Sequence, residues 1–240
     1  MQLLQNHIKY FYDYIITNTD YVLTAENNQE MISVMENGQS VCQGYAKTFQ
    51  YLMRSVGLQS ILVTGYSNKE AHAWNIVMAD GNWYHIDCTW GDTSSKNGNA
   101  INYDYFCVND AELEKTHIIQ NVIPPPACTH TENNYYVHEG LYFDDLDDID
   151  YKEIFNKAYK NHEKCVTLKF ANSLLYARAS MSLIDCGEVL DYYHNSSAEN
   201  VMYVKNDKQN ILRFYLEELT EEEIEELNKE IEENIDETEK

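Results

Sequence analysis

Three consecutive runs of alternating hydrophobicity, at residues 60–66, 71–79 and 82–90, limit most strongly what this chain can fold into. Each run is rich in β-branched and aromatic residues, and Asp80-Gly81 separates the second run from the third. Because Asp-Gly is typical of a two-residue hairpin turn, the runs predict three antiparallel strands. An all-helical fold is therefore excluded.

Two helices are predicted upstream of these strands. Residues 3–17 carry apolar side chains at helical spacing. A second helix is predicted with Ser40 as its N-cap, which places Cys42 in its first turn. The inner face of this helix is formed by four apolar residues, Tyr45, Phe49, Leu52 and Met53. Helices followed by an antiparallel sheet predict an α+β fold.

The chain is predicted to contain a core domain, a small extension and a tail. The core domain spans residues 1–145, and residues 146–216 form a smaller α+β C-terminal extension. The extension alternates the following elements: helix 150–161, strand 165–170, helix 172–184 and a hairpin of strands 201–205 and 211–216. Residues 217–240 are an acidic tail, either helical or disordered.

Charge excludes several classes of partner. The 240 residues include 17 basic and 40 acidic side chains, a net charge of -23. Such a field repels nucleic acids and anionic lipid surfaces and favours a cationic or Lys-rich protein substrate. No apolar run reaches the roughly 20 residues of a membrane span, and the N-terminus does not resemble a signal peptide. As it stands the sequence predicts a cytoplasmic protein, and removal of a leader would make it secreted or attached to the cell surface.

Six cysteines at wide, irregular spacing, with no CxxC pair, fit neither a disulfide scaffold nor a close-spaced zinc site. We also expect no metal and no cofactor.

One cysteine, one histidine and one aspartate form a candidate catalytic group. The start of a helix favours the thiolate form of a cysteine such as Cys42. If the hairpin turns symmetrically about Asp80-Gly81, paired positions sum to 161, and His72 and Asp87 then lie on one face as diagonal neighbours. His85 shares that face, so strand geometry alone leaves the choice of the catalytic histidine open.

Three motifs in a fixed order distinguish between His72 and His85, because together they resemble the motifs of a known family. The segments at 38–46 (GQSVCQGYA), 71–75 (AHAWN) and 80–92 (DGNWYHIDCTWGD) resemble the core motifs of the transglutaminase-like superfamily, and more closely its bacterial branch. Clear resemblance covers residues 36–92. Looser similarity extends to residues 12–16 upstream and, downstream, to residues 103–106, 115–117 and 133–136.

The resemblance implies a papain-like transglutaminase-core fold in which Cys42 is the nucleophile, His72 the base and Asp87 its orienting partner. The implied reaction is attack of the Cys42 thiolate on a protein or peptide amide to form a thioester. Water as acceptor makes the protein a cysteine peptidase or deamidase, and a lysine amine makes it a crosslinking acyltransferase. Trp74 and Trp90 either line an acyl groove or only pack the sheet. The alternative is a non-catalytic peptide-binding or assembly module on the same fold, and no oligomeric state is predicted.

Overall fold

The structure, a computed structural model, describes residues 2–92, 101–147, 149–194 and 201–216. Side chains are described from Gln5 onward. The described chain forms two compact units, which divide between Tyr135 and Tyr136. The predicted boundary after residue 145 remains a proposal, and the predicted acidic tail, residues 217–240, lies outside the described residues.

The first unit begins with helix α1, Gln2–Asn18, which confirms the helix predicted from apolar spacing. Ile8, Tyr12 and Ile15 recur every three or four residues and are fully buried. They therefore form the face by which α1 packs on the core of this unit.

Helix α2, Cys42–Ser55, starts one residue later than a Ser40 cap predicts. Its N-cap is Val41, whose side chain makes no capping hydrogen bond. The Ser40 hydroxyl instead donates to the backbone oxygen of Asn28 at 2.6 Å. The prediction of Ser40 as N-cap was wrong because this hydroxyl ties the helix start to the preceding loop.

A short parallel pair of strands precedes α2. Strand β1, Asp20–Tyr21, pairs with strand β2, Gln39–Ser40, and Tyr21 lies opposite Ser40. The Val22 amide extends the pairing by donating to the Ser40 oxygen at 2.8 Å. The pairing places Tyr21 beside the start of α2.

The three predicted strands are present as an antiparallel sheet. They are β3 (Ser60–Ser67), β4 (Glu70–Ala79) and β5 (Asn82–Ile86). Ala79 pairs with Asn82 and Asn75 with Ile86. Both pairs sum to 161, so the register expected from a symmetric Asp80-Gly81 turn is confirmed.

Two further strands widen this sheet at its edges. Strand β6, Phe106–Val108, pairs with β5, and strand β7, His117–Ile119, pairs with β3. The strand order is β6-β5-β4-β3-β7. At three residues each, these strands are too short for a period of two to stand out in the sequence.

Strand β5 is shorter than predicted. It ends at Ile86, and residues Cys88–Gly91 form the short helix α3. Asp87 is its N-cap and accepts hydrogen bonds from the backbone amides of Thr89 and Trp90. The prediction of a strand to residue 90 was wrong because this cap turns the chain out of the sheet.

The two faces of β4 contribute to two apolar clusters. Val77 and Ala79 belong to the cluster that includes α1 and α2. Trp74 and Ile76 belong to a second cluster with Leu113, at the end of the short helix α4, Asp110–Leu113. Both faces of the second half of β4 are therefore buried.

The second unit is itself α+β. After the short helix α5 (Tyr135–His138), its helices are α6 (Tyr151–Lys160) and α7 (Ser173–Ser180). Its strands are β8 (Tyr142–Phe143), β9 (Cys165–Phe170), β10 (Tyr203–Asn206) and β11 (Ile211–Tyr215), in the order β10-β11-β9-β8. The helix predicted to run to residue 184 is α-helical only to Ser180, and the π-helical turn Met181–Asp185 follows. The predicted α+β class, with an antiparallel sheet and a helix that carries Cys42 in its first turn, is confirmed.

Within the described ranges, no helix has the length and apolar character required to cross a bilayer. The cellular compartment stays a prediction.

Candidate active site

Cys42 is the first residue of α2 and is half-buried, with a free thiol. The first amides of a helix have no intrahelical acceptor, and the positive end of the helix dipole points toward them. The predicted position of Cys42 in the first turn is therefore confirmed. Cys88, by contrast, is buried, and its burial together with the nearby Asp87 charge raises the pKa of its thiol.

His72 and Asp87 are in direct contact. The Nε2 of His72, on β4, lies 2.6 Å from the Oδ2 of Asp87. Since an ionised carboxylate only accepts, Nε2 donates, and Nδ1 is the nitrogen left to act on another group. The His72 side chain also lies within hydrogen-bonding reach of the Cys42 thiol. The structure thus brings together all three residues of the predicted triad.

Asp87 is fully buried and accepts four hydrogen bonds. Its Oδ1 accepts from the amides of Thr89 at 2.9 Å and Trp90 at 3.1 Å. Its Oδ2 accepts from His72 and from the Nε2 of His117, which lies 3.2 Å away. Burial alone would raise the pKa of Asp87, but the His72 charge and the hydrogen bonds from both imidazoles hold it below its ordinary value.

The environment of His72 favours its protonated form. Burial would lower the pKa of the imidazole, but the Asp87 charge and hydrogen bond, with a smaller contribution from Cys42, raise it from 6.5 to about 10. Asp87 thus stabilises the imidazolium form of His72.

His85, the alternative histidine, has both ring nitrogens occupied. Trp74 Nε1 donates to His85 Nδ1 at 3.1 Å, and His85 Nε2 lies 2.8 Å from Asp110 Oδ1. A ring that accepts at Nδ1 carries its proton on Nε2, so His85 donates to Asp110. Burial lowers the pKa of His85 and favours this neutral ring. The geometry therefore favours His72 as the catalytic histidine.

The two tryptophans differ in exposure. Trp74 is 1% exposed and is held in the sheet by its bond to His85. Trp90 is half-buried, and its ring packs against Tyr105 and His117 with centroids 5.0 Å away in each case. A part in substrate binding remains a proposal, and the geometry supports it for Trp90 more than for Trp74.

Two side-chain groups in the described chain have the composition of metal sites. They are His72, Asp87 and His117, and His85, Asp110 and Cys128. In the second group the proton on His85 Nε2 removes the lone pair that a metal would need, so this group does not fit a metal ion. In the first group, the Nε2 atoms of His72 and His117 would have to bind the metal, but both donate to Asp87 instead.

Two residues without an assigned role in the sequence lie at the site. The hydroxyl of Tyr21 reaches both the backbone amide and the thiol of Cys42; burial, followed by the Cys42 charge, raises its pKa to about 12. His117 contacts Asp87. The segment at 115–117 carries a looser family resemblance, but nothing in the sequence indicates that β7 pairs with β3. Tyr21 gives no sequence signal because its position depends on the two-residue strands β1 and β2.

An imidazole between a helix-start thiol and a buried carboxylate is the arrangement used by enzymes with an activated cysteine nucleophile. The model of the transglutaminase-like superfamily matches residues 3–88, which confirms the resemblance to this superfamily. The match supports a general thiol-enzyme function. The predicted assignment to a bacterial branch stays a prediction.

Curated relatives include the kyphoscoliosis peptidases of mouse and human. They are 29% and 30% identical to this chain over 131 residues, which covers 45% of this chain. The chain spans about a fifth (20%) of the length of these relatives.

Two similar solved structures cover a smaller part of the chain. One is described as a TGase, with 25% identity over 34% of this chain and 25% of that chain. The other is a putative cysteine protease from Cytophaga hutchinsonii, with 22% identity over 37% of this chain and 36% of that chain. Both have a TM-score of 0.32.

Proposed function

We propose that this protein is a thiol-dependent enzyme that transfers or hydrolyses acyl groups of protein or peptide amides through Cys42. The observation that carries the proposal is the 2.6 Å contact between His72 Nε2 and Asp87 Oδ2, because it leaves Nδ1 of His72 for the thiol. The similarity to kyphoscoliosis peptidases and the superfamily match support the same class of chemistry.

In the proposed reaction, His72 Nδ1 takes the proton of the Cys42 thiol, and the sulfur attacks the carbonyl carbon of the amide. The carbonyl π electrons move to oxygen and form a tetrahedral oxyanion. Collapse of this intermediate breaks the C–N bond, and His72 returns its proton to the leaving amine. A thioester on Cys42 remains. A water molecule or a lysine amine, deprotonated by His72, then attacks its carbonyl carbon, and the C–S bond breaks to release the acyl product and the Cys42 sulfur, which regains its proton from His72.

Two groups are the candidate donors to the oxyanion. The backbone amide of Cys42 lies at the start of α2, and the Tyr21 hydroxyl is within hydrogen-bonding reach of that amide and of the thiol. A substrate oxygen placed beside this amide would also meet the Tyr21 hydroxyl. Preorganised donors at this position stabilise the charge that develops on the oxygen. The net charge of -23 supports a cationic or Lys-rich segment as substrate.

Brief labelling with limiting iodoacetamide at neutral pH, read by mass spectrometry, tests the proposal. An ordinary thiol is only a few per cent thiolate at pH 7, so Cys42 should react about tenfold or more faster than the exposed Cys186. We expect H72A to remove this advantage and H130A, at an exposed histidine, to retain it.

If Cys42 reacts no faster than Cys186 and is indifferent to His72, the enzyme proposal is wrong and a peptide-binding module replaces it. If Cys42 is reactive, a glutaminyl peptide incubated with a lysine amine in isotopically labelled water distinguishes the acceptors. Crosslinked product identifies transfer to the amine, and incorporation of labelled oxygen identifies hydrolysis.

A further inference from the structure

His117 is a buried histidine at the site that the proposed reaction does not use. Its side chain is 0% exposed, and its Nε2 lies 3.2 Å from Asp87 Oδ2, the same oxygen that His72 contacts. The ring is enclosed by aromatic neighbours, with ring centroids about 5 Å away at Trp74, Trp90 and Tyr105. These rings leave His117 little freedom to turn away from Asp87.

The other ring nitrogen of His117 faces a chain of two hydroxyl groups. Its Nδ1 lies 2.8 Å from Thr116 Oγ1, which lies 2.9 Å from the Tyr105 hydroxyl. The ionised Asp87 only accepts, so His117 must carry a proton on Nε2. In a neutral ring Nδ1 then accepts from Thr116, and the Thr116 oxygen accepts from Tyr105. The Thr116 hydroxyl also lies 3.4 Å from the Leu113 backbone oxygen, a longer contact than the one to His117.

His117 supplies the fourth hydrogen bond to a carboxylate that has no contact with solvent. The amides of Thr89 and Trp90 hold Oδ1, and the imidazoles of His72 and His117 hold Oδ2. Without His117, Asp87 Oδ2 has only the His72 donor left, and His72 is the residue that Asp87 must orient. A buried carboxylate that loses a donor bears a desolvation cost and seeks another partner.

We infer that His117 is a positioning residue that holds the Asp87 carboxylate toward His72. Thr116, which contacts Tyr105, in turn holds the His117 ring in place. This inference rests on the proposed function. It extends the proposed triad to a hydrogen-bond network that runs from Tyr105 to Cys42. In this network His117 acts on the reaction only through Asp87 and touches no reacting atom.

Two variants of similar volume separate positioning from packing. Gln can present its side-chain N–H near the place of Nε2, whereas Leu fills the pocket without a donor. Iodoacetamide labelling of Cys42 in H117L should slow about tenfold, the effect of losing one hydrogen bond to a charged group. H117Q should label close to the wild-type rate. The inference is wrong if H117L matches the wild type, or if H117Q is as slow as H117L in a folded protein.

A second pair of variants tests the inference even if H117L fails to fold. T116V removes the hydroxyl that faces Nδ1, and T116S retains it. Thermal unfolding followed by circular dichroism shows which variants are folded. We expect T116V to slow Cys42 labelling and T116S to leave it unchanged; equal rates in these two variants overturn the inference.

Long-range 1H–15N NMR of the histidine rings tests the inference without a reactive thiol. In the wild type, His117 should carry its proton on Nε2. The His72 signals should shift in H117L but not in H117Q, because only H117L frees Asp87. Unchanged His72 signals in H117L overturn the inference even if Cys42 is reactive. Shifted signals with an unreactive Cys42 overturn the proposed function alone.

Discussion

At the scale of single residues, Asp87 explains most of the site. It is a fully buried carboxylate, and burial of this charge is costly unless its lone pairs are matched by donors. Two backbone amides and two imidazoles provide these donors. The hydrogen bonds that stabilise the buried Asp87 charge also orient this carboxylate toward His72. The stability of the fold and the proposed chemistry therefore depend on the same set of hydrogen bonds.

The pKa of His72 predicts a specific pH dependence of stability. Its folded value of about 10 lies above the ordinary 6.5, so the stabilisation from the His72–Asp87 pair is complete below about pH 6.5 and is lost as the pH rises through about 10. The Asp87 pKa is lowered from 3.8, so at acid pH the stabilisation is lost again as the pH falls well below that value.

Urea unfolding of the wild type and H72Q measures this effect. The advantage of the wild type over H72Q should be largest between about pH 4 and 6.5 and should shrink steadily toward pH 10. H130Q, which changes an exposed histidine, serves as the control and should show no such trend. A difference between wild type and H72Q that stays constant from pH 6 to 10 contradicts the raised pKa.

At the scale of elements, the site depends on how closely β7 approaches β3. Gly65 on β3 pairs with His72 of β4 on one side and with Ile119 of β7 on the other. A Cβ at this position would lie 1.9 Å from the Ile118 backbone oxygen and 3.0 Å from the Trp74 ring. The absence of a side chain at Gly65 therefore allows β7 to bring His117 to Asp87.

G65A should displace β7 and weaken the site. Overpacking of this kind costs about 1 to 3 kcal/mol of unfolding free energy, which chemical denaturation measures. Because His117 lies on β7, Cys42 labelling should also slow. T64S, in the same strand but without an added atom, should change neither quantity. A G65A variant with wild-type stability and labelling rate would show that the sheet absorbs the extra carbon without moving β7.

The elements themselves were predictable to different extents. Helix α1 and the hairpin of β4 and β5 follow from local periodicity and turn chemistry, and their register was correct. Strands β6 and β7 were not predictable, because three-residue strands exist through pairing with distant segments rather than through their own pattern. The early end of β5 was missed because the Asp87 cap competes locally with continuation of the strand.

At the scale of the whole molecule, the dominant property is charge. A net charge of -23 produces a negative potential that acts over the Debye length, about 30 Å in 0.01 M salt and about 3 Å in 1 M salt. This field disfavours anionic reagents and substrates and assists cationic ones. It acts at a longer range than any single contact at the site.

Paired alkylating reagents make the field measurable at Cys42. Iodoacetate is anionic and iodoacetamide is neutral. The labelling rate of Cys42 with iodoacetate, divided by its rate with iodoacetamide, should therefore rise severalfold between about 0.01 M and 1 M salt. The neutral reagent controls for other effects of salt on the thiol. A ratio that falls with salt would show that the positive charge of His72 outweighs the field of the whole molecule.

The sequence by itself determined the α+β class, a helix with Cys42 in its first turn and the register of the hairpin that carries His72 and ends just before Asp87. Periodicity, turn residues and sequence motifs are local features, and they can be recognised without knowledge of which segments pack together. Only the tertiary structure decided that His85 is bound by Trp74 and Asp110, that Tyr21 approaches Cys42 and that His117 shares Asp87 with His72. The physical reason is that each of these contacts joins residues brought together by strand pairing and burial, and the free energy of such pairing depends on segments far apart in the chain.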